Sequence, residues 1–127
     1  MNPKQFLLWG GVVLVVVALL GFVGVIGPTE EQSIFGSGWW FDNAENWAHL
    51  ILGVAALVLA YALGPSMQKP VVMLLGVIGV LVGLYSIFNQ TLGAANLENQ
   101  ADTLLHIVVG AWALWASMSK QSSMPQM

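Results

Sequence analysis

Four long apolar segments constrain the fold of this 127-residue chain more than any other feature. They occupy residues 6–26, 44–63, 71–88 and 101–118. A helix needs about 20 apolar residues to cross the hydrocarbon core of a bilayer, and each segment is close to that length. Only 7% of all residues are charged, against about 25% in a soluble domain. The sequence therefore predicts an all-α integral membrane protein, a four-transmembrane-helix bundle that forms one domain over residues 1–127.

The distribution of charge predicts how the four helices are oriented. Lys4 precedes the first segment, Lys69 separates the second from the third, and Lys120 follows the fourth. The six acids lie in or beside the two remaining loops: Glu30, Glu31, Asp42, Glu45, Glu98 and Asp102. By the positive-inside rule, this segregation predicts up-down-up-down topology with both termini cytoplasmic, in a multi-pass protein of a cell membrane. The first segment is longer than the apolar core of a typical signal peptide, so we expect a retained helix.

The second and fourth segments begin with related sequences, which predicts an internal repeat. Both read acid-x-x-x-His-x-x-x-Gly. The residues are Glu45, His49 and Gly53 in the second segment, and Asp102, His106 and Gly110 in the fourth. Residues four apart lie on one helix face, about 6 Å from each other along the axis. We therefore expect two pseudo-repeated helical hairpins, with the only two histidines of the chain at equal depth near the outer face.

The same two runs carry a resemblance to a known group of proteins. Residues 46–53 and 102–110 resemble the corresponding runs of a family of small, uncharacterised prokaryotic four-helix membrane proteins. In that family, the second and fourth helices carry an Asn/Asp-rich start followed by a His-Leu-x-Leu-Gly type of run. The run at His106 departs from this pattern only by conservative aliphatic changes. The resemblance implies a four-helix fold with shared histidines, here His49 and His106, and it implies no reaction.

Three chemistries can use two histidines beside two carboxylates. Imidazole and carboxylate ligands suit a divalent metal ion such as zinc, manganese, iron or copper, which predicts a metal site of Glu45, His49, Asp102 and His106. Each acid is then a ligand or a partner that orients its histidine. Alternatively, His49 and His106 are axial ligands of a haem or chlorophyll, and the following glycines leave room for the ring. In the third interpretation, these side chains take up protons or sense pH.

The same residues also have structural interpretations. Glu45 lies three residues after Asp42, and Asp102 lies three after Asn99, which is the spacing of a capping box at a helix N-terminus. Histidines inside a membrane can bridge helices by hydrogen bonds, and glycines allow helices to pack closely. The aromatic run 39–41 is expected to anchor its loop in the membrane interface. None of these roles excludes ligand binding.

Composition also bears on the class of function. The chain has no cysteine, which excludes disulfides and thiolate ligands, and its three lysines leave too little positive charge to bind nucleic acid. The sequence contains no nucleophile triad, no phosphate-binding loop and no polar residues at the midplane of the spans, so we expect neither an enzyme nor a transporter. We expect an accessory or assembly subunit whose partners are the lipid bilayer and membrane proteins, or copies of itself in a homo-oligomer that packs through the glycine-rich first and third segments.

Overall fold

Four long helices account for most of the protein. The computed structural model describes residues 1–97 and 100–119. The helices are α1 (Pro3–Phe22), α2 (Asn43–Ala62), α3 (Pro65–Phe88) and α4 (Ala101–Met118). All four are long and apolar enough to cross a bilayer, as a multi-pass membrane protein requires. The prediction of an all-helical chain with four candidate membrane spans is confirmed.

Two helices have limits that differ from the predicted spans. Helix α1 ends at Phe22, before the predicted end at residue 26, because Gly24 adopts a φ of 89° that an α-helix does not allow. Helix α3 begins at Pro65, ahead of the predicted start at residue 71. Proline favours the first turn of a helix, where its missing N–H has no intrahelical partner to lose. The residues between Pro65 and Val71 are therefore helical rather than part of the loop.

Helices α1 and α2 pack together through a pair of glycines. A Cβ atom on either Gly11 or Gly53 would lie 2.9 Å from the carbonyl oxygen of the other residue. Near the end of α1, Gly21 is in contact with Asn46, which lies in the first turns of α2. Only the absence of a side chain allows the two backbones to come so close. The first two helices therefore form one tightly packed hairpin.

Helices α3 and α4 make the same kind of contact in the second half. A Cβ atom on Gly110 would lie 2.8 Å from the carbonyl oxygen of Gly76 and 2.7 Å from the backbone nitrogen of Val80. Farther along these helices, the hydroxyls of Ser86 and Thr103 share a hydrogen bond. The close-packing role predicted for the glycine of each motif is thus confirmed.

The two ends of the bundle differ in charge. We call the end that carries Lys4 and Lys69 the lysine end, and the end that carries Asp42, Glu45 and Asp102 the acidic end. The Lys4 ammonium lies 5.0 Å from the ring centre of Tyr61, in the last turn of α2. The buried amide of Gln68 donates to the carbonyl oxygens of Ala60 at 3.0 Å and Leu63 at 2.9 Å. Lys120 and Glu98, which also entered the charge pattern, lie outside the described residues.

A small apolar core joins the two hairpins at the lysine end. It consists of Phe6, Leu7, Ala60, Val72, Ala113 and Ala116. The ring of Phe6 packs edge-on against Trp112, with ring centres 4.6 Å apart. Helices α2 and α4, in contrast, do not pack closely against each other. Large apolar side chains cover much of the outer surface of the helices, where lipid would surround them.

The loops at the acidic end fold back over the helices. The loop between α1 and α2 contains two short 3₁₀ turns, Glu30–Gln32 and Gly36–Gly38, and the loop between α3 and α4 contains an antiparallel pair of strands, β1 (Thr91–Leu92) and β2 (Ala95–Asn96). The backbone nitrogen of Phe41 donates to the carbonyl oxygen of Ile26 at 2.8 Å. This bond joins the last part of the first loop to its beginning, shortly after α1 ends at Phe22.

Candidate functional site

Asp42 organises the acidic end. One oxygen of its carboxylate accepts from the backbone nitrogen of Glu45 at 2.9 Å, and the Glu45 carboxylate accepts from the backbone nitrogen of Asp42 at 3.0 Å. This reciprocal capping satisfies two N–H groups at the start of α2. The other Asp42 oxygen accepts from the backbone nitrogen of Asn96 in β2 at 2.6 Å. The capping role predicted for Glu45 is confirmed, and Asp42 also joins α2 to the loop of the second half.

The histidine of α4 is held by the backbone of its own helix, and the acid before it is buried. Asp102 is buried, with 1% of its surface exposed. Its backbone carbonyl lies 2.7 Å from Nδ1 of His106. Because a carbonyl oxygen only accepts, Nδ1 donates its proton in this bond, and Nε2 is the ring nitrogen that the helix leaves for another partner. His106 is thus held in the form that binds a metal ion through Nε2. Asn99, the predicted capping partner of Asp102, lies outside the described residues.

His49 occupies the corresponding position of α2 but has a different environment. Its Nδ1 atom is buried and has no hydrogen-bond partner in the part of the chain that the structure describes. The ring packs edge-on against Phe41, with ring centres 5.0 Å apart. His106, Asp102 and Asp42 are all near enough to His49 to act on it electrostatically. The structure therefore brings both histidines, with acids from both halves, into one neighbourhood.

Two observations bear on the predicted ligand sites. Within residues 1–97 and 100–119, no group of three or more His, Asp, Glu or Cys side chains is arranged to hold a metal ion. The glycines that follow the histidines do not leave room for a tetrapyrrole ring, because the backbones of Gly11 and Gly76 lie against them. The expectation that these glycines leave room for a ring is wrong.

Asn46 is a buried polar residue of the acidic end that was not among the predicted ligand residues. It is fully buried, its Nδ2 lies 3.5 Å from the carbonyl oxygen of Phe41, and its Oδ1 has no partner within the described ranges. Its position three residues before His49 places both on one face of α2, which was the available signal. Phe41 was expected to anchor a loop in the membrane interface, yet it is buried, with 4% of its surface exposed. The loop therefore covers the site rather than extending away from it.

The acidic end combines two imidazoles with buried acids at the junction of the two hairpins. No family model, curated protein or solved structure matches the chain. The side chains themselves thus carry the inference of function.

Proposed function

We propose that the protein is a small non-enzymatic membrane protein, an accessory or assembly subunit, that binds a metal ion at its acidic end. The observation that carries this proposal is the state of the two histidines. The backbone of Asp102 fixes the proton of His106 on Nδ1, and no hydrogen bond to either ring engages Nε2 in the described structure. Ionisable side chains within a span are costly and usually functional, so two such histidines in one neighbourhood favour a ligand.

The bundle is proposed to have up-down-up-down topology and to consist of two pseudo-repeated hairpins. The contacts that support the repeat are Gly11 with Gly53 and Gly76 with Gly110, then Gly21 with Asn46 and Ser86 with Thr103. Gly11 and Gly21 are separated by the same number of residues in α1 as Gly76 and Ser86 are in α3. The same holds for Asn46 and Gly53 in α2 and for Thr103 and Gly110 in α4. Equal intervals at two separate contacts are what a repeated structural unit requires. The same symmetry relates His49 to His106.

Both termini are proposed to be cytoplasmic in a cell membrane, because Lys4 and Lys69 lie at the end opposite the acids. The absence of cysteine makes this testable with single cysteines. Ser37, in the loop of the acidic end, and Ser66, at the lysine end, are both exposed. We expect a membrane-impermeant maleimide to label Ser37→Cys in intact cells and Ser66→Cys only after permeabilisation. Labelling of Ser66→Cys alone in intact cells would reverse the orientation.

A divalent transition-metal ion is the ligand proposed for this site. Imidazole nitrogen suits zinc, copper, iron and nickel, and a carboxylate oxygen is a common additional ligand. Glu45 and Asp102 are buried and each precedes its histidine by four residues, so their negative charge would lower the electrostatic cost of bringing a cation into the bundle. In this proposal, His49 and His106 are the nitrogen ligands, and Glu45 and Asp102 are oxygen ligands or partners that hold the histidines.

The second candidate is a tetrapyrrole, haem or chlorophyll, with His49 and His106 as axial ligands. Two observations are compatible with it. An axial pair needs only two side chains, and the described residues include no group of three suitable metal ligands. Helices α2 and α4, which carry the two histidines, also do not pack closely against each other.

Zinc binding by the full chain in lipid nanodiscs tests the metal proposal. We expect His49→Ala and His106→Ala each to weaken zinc binding about tenfold or more, because each removes a nitrogen ligand, and the double variant to bind none. Glu31→Gln is the control, because Glu31 is an exposed acid in the loop between α1 and α2. This variant is expected to leave zinc binding unchanged. Isothermal titration calorimetry measures the affinities. Unchanged zinc affinity in the double variant would contradict the assignment.

A further inference from the structure

Three buried polar atoms at the acidic end have no hydrogen-bond partner in the described chain. They are Nε1 of Trp39, Oδ1 of Asn46 and Nδ1 of His49. All three side chains surround Phe41: the rings of Trp39 and His49 pack on its ring, at 5.1 and 5.0 Å between ring centres, and Asn46 lies beside its carbonyl oxygen. An unsatisfied buried polar group costs about 1–3 kcal/mol, so native proteins nearly always supply a partner. Three such groups in one place indicate a partner that is not part of the chain.

In the second half of the proposed repeat, the residue that corresponds to Asn46 has a hydrogen-bond partner within the chain. Thr103 corresponds to Asn46, and its hydroxyl bonds to Ser86 of the neighbouring helix. Gly21 stands where Ser86 stands in the second half, and it has no side chain to offer Asn46. The unsatisfied amide is therefore specific to the first hairpin.

The three atoms define the chemistry of the missing partner. An indole N–H only donates and an amide oxygen only accepts, so the partner must both accept from Trp39 and donate to Asn46. A bare cation cannot accept, and an anion is disfavoured beside Asp42. A neutral molecule with both functions fits, and the cover provided by the buried Phe41 limits its size.

We propose that a water molecule is bound among Trp39, Asn46 and His49, beneath Phe41, as a permanent part of the structure. It accepts from Nε1 of Trp39 and from Nδ1 of His49 and donates to Oδ1 of Asn46, which matches the three hydrogen bonds that buried waters typically make. The water does for His49 what the Asp102 carbonyl does for His106, because both keep the proton on Nδ1 and leave Nε2 for a ligand. Only this last role rests on the proposed metal function.

Hydroxyl-radical footprinting by synchrotron X-rays tests the proposal on the full chain in nanodiscs, with chelator present. A bound water molecule next to a side chain raises the oxidation rate of that side chain above the rate expected from its exposed surface. Phe6 is the internal reference, because 6% of its surface is exposed against 4% for Phe41, and it lies in the apolar core of the lysine end. We expect Phe41 to be oxidised several-fold faster than Phe6. Equal rates for the two rings in the wild-type protein would overturn the proposal.

Variants extend this test. Asn46→Leu removes the acceptor and is expected to lower the oxidation of Phe41 to the rate of Phe6. Trp39→Phe keeps an aromatic side chain but removes the indole N–H, and it is expected to lower the oxidation of Phe41 in part. Because Trp39 lies outside the four long helices, this variant keeps the test available if Asn46→Leu does not fold. Thr103→Val, at the corresponding position of the second half, is the matched control and should leave Phe41 oxidation unchanged. Oxidation of Phe41 that is insensitive to both Asn46→Leu and Trp39→Phe would refute the site.

The chelator keeps this test separate from the metal proposal. Fast oxidation of Phe41 together with absent zinc binding would support the water and refute the metal site. Zinc binding together with equal oxidation of Phe41 and Phe6 would support the metal site and refute the water.

Discussion

Replacing Gly53 or Gly110 with valine is expected to cost at least about 3 kcal/mol in the free energy of unfolding. At Gly53, the new Cβ atom would lie 2.9 Å from the carbonyl oxygen of Gly11, and at Gly110 it would lie 2.7 Å from the backbone nitrogen of Val80. The opposing atoms belong to the backbone of a helix and cannot move aside as a flexible side chain can. The steric clash is therefore relieved only if the two helices of the hairpin separate.

Unfolding in mixed detergent micelles at increasing sodium dodecyl sulfate, followed by circular dichroism, measures this loss. Gly10→Ala is the matched control, because Gly10 lies on the same helix as Gly11 and a Cβ atom there would meet only the ring of Phe6, at 3.7 Å. We expect Gly10→Ala to be neutral or slightly stabilising, since alanine favours a helix over glycine by about 0.5–1 kcal/mol. Valine variants that unfold at the wild-type detergent fraction would show that these contacts do not hold the hairpins together.

Replacing Asp42 with alanine is expected to cost about 2.5–4 kcal/mol in the free energy of unfolding. The loss of the N-cap of α2 contributes about 1 kcal/mol, and the loss of the charged hydrogen bond to Asn96 contributes about 1.5–3 kcal/mol. The bond to Asn96 joins the first half of the chain to the loop between α3 and α4. Hydrogen exchange at the backbone amide of Asn96 should therefore also become faster in Asp42→Ala. Both the free energy and the exchange rate are measurable on the same protein.

Asn2 provides the matched control for Asp42. It forms the same reciprocal capping box with Gln5 at the start of α1, in an exposed position. Asn2→Ala is expected to cost about 1 kcal/mol, the usual value of an N-cap. The difference between the two variants then measures the contribution of the Asn96 bond. Equal costs for Asp42→Ala and Asn2→Ala would show that Asp42 is only a cap.

The number and approximate positions of the helices could be predicted because a bilayer imposes a length and a polarity on every helix that crosses it. The capping of Glu45 by Asp42 could also be predicted, since a capping box is local in sequence. The start of α3 was placed too late, because hydropathy does not register the polar turn after Pro65 that remains helical.

Features that depend on distant contacts could not be predicted. The sequence does not indicate which face of a glycine-rich helix is covered, and Gly11 and Gly76 pack inside their own hairpins rather than forming surfaces for other copies. The bond between Asp42 and Asn96 links two loops far apart in the chain. Asn46 is buried against Gly21 of the neighbouring helix, which has no side chain to bond its Oδ1, and that pairing is not visible in the sequence. An aromatic residue such as Phe41 suits both a membrane interface and a buried contact.

We propose that His49 and His106 bind one metal-containing ligand at the acidic end. Multi-element mass spectrometry of protein purified gently from its native membrane, together with a visible absorbance spectrum, tests it most directly. We predict one near-stoichiometric metal in the wild-type protein and its loss in the variant with both histidines replaced by alanine. A visible band that disappears with the metal would assign a tetrapyrrole, and a colourless sample would assign a bare ion. The same metal content in the wild-type protein and the double variant, or no metal in either, would contradict the claim.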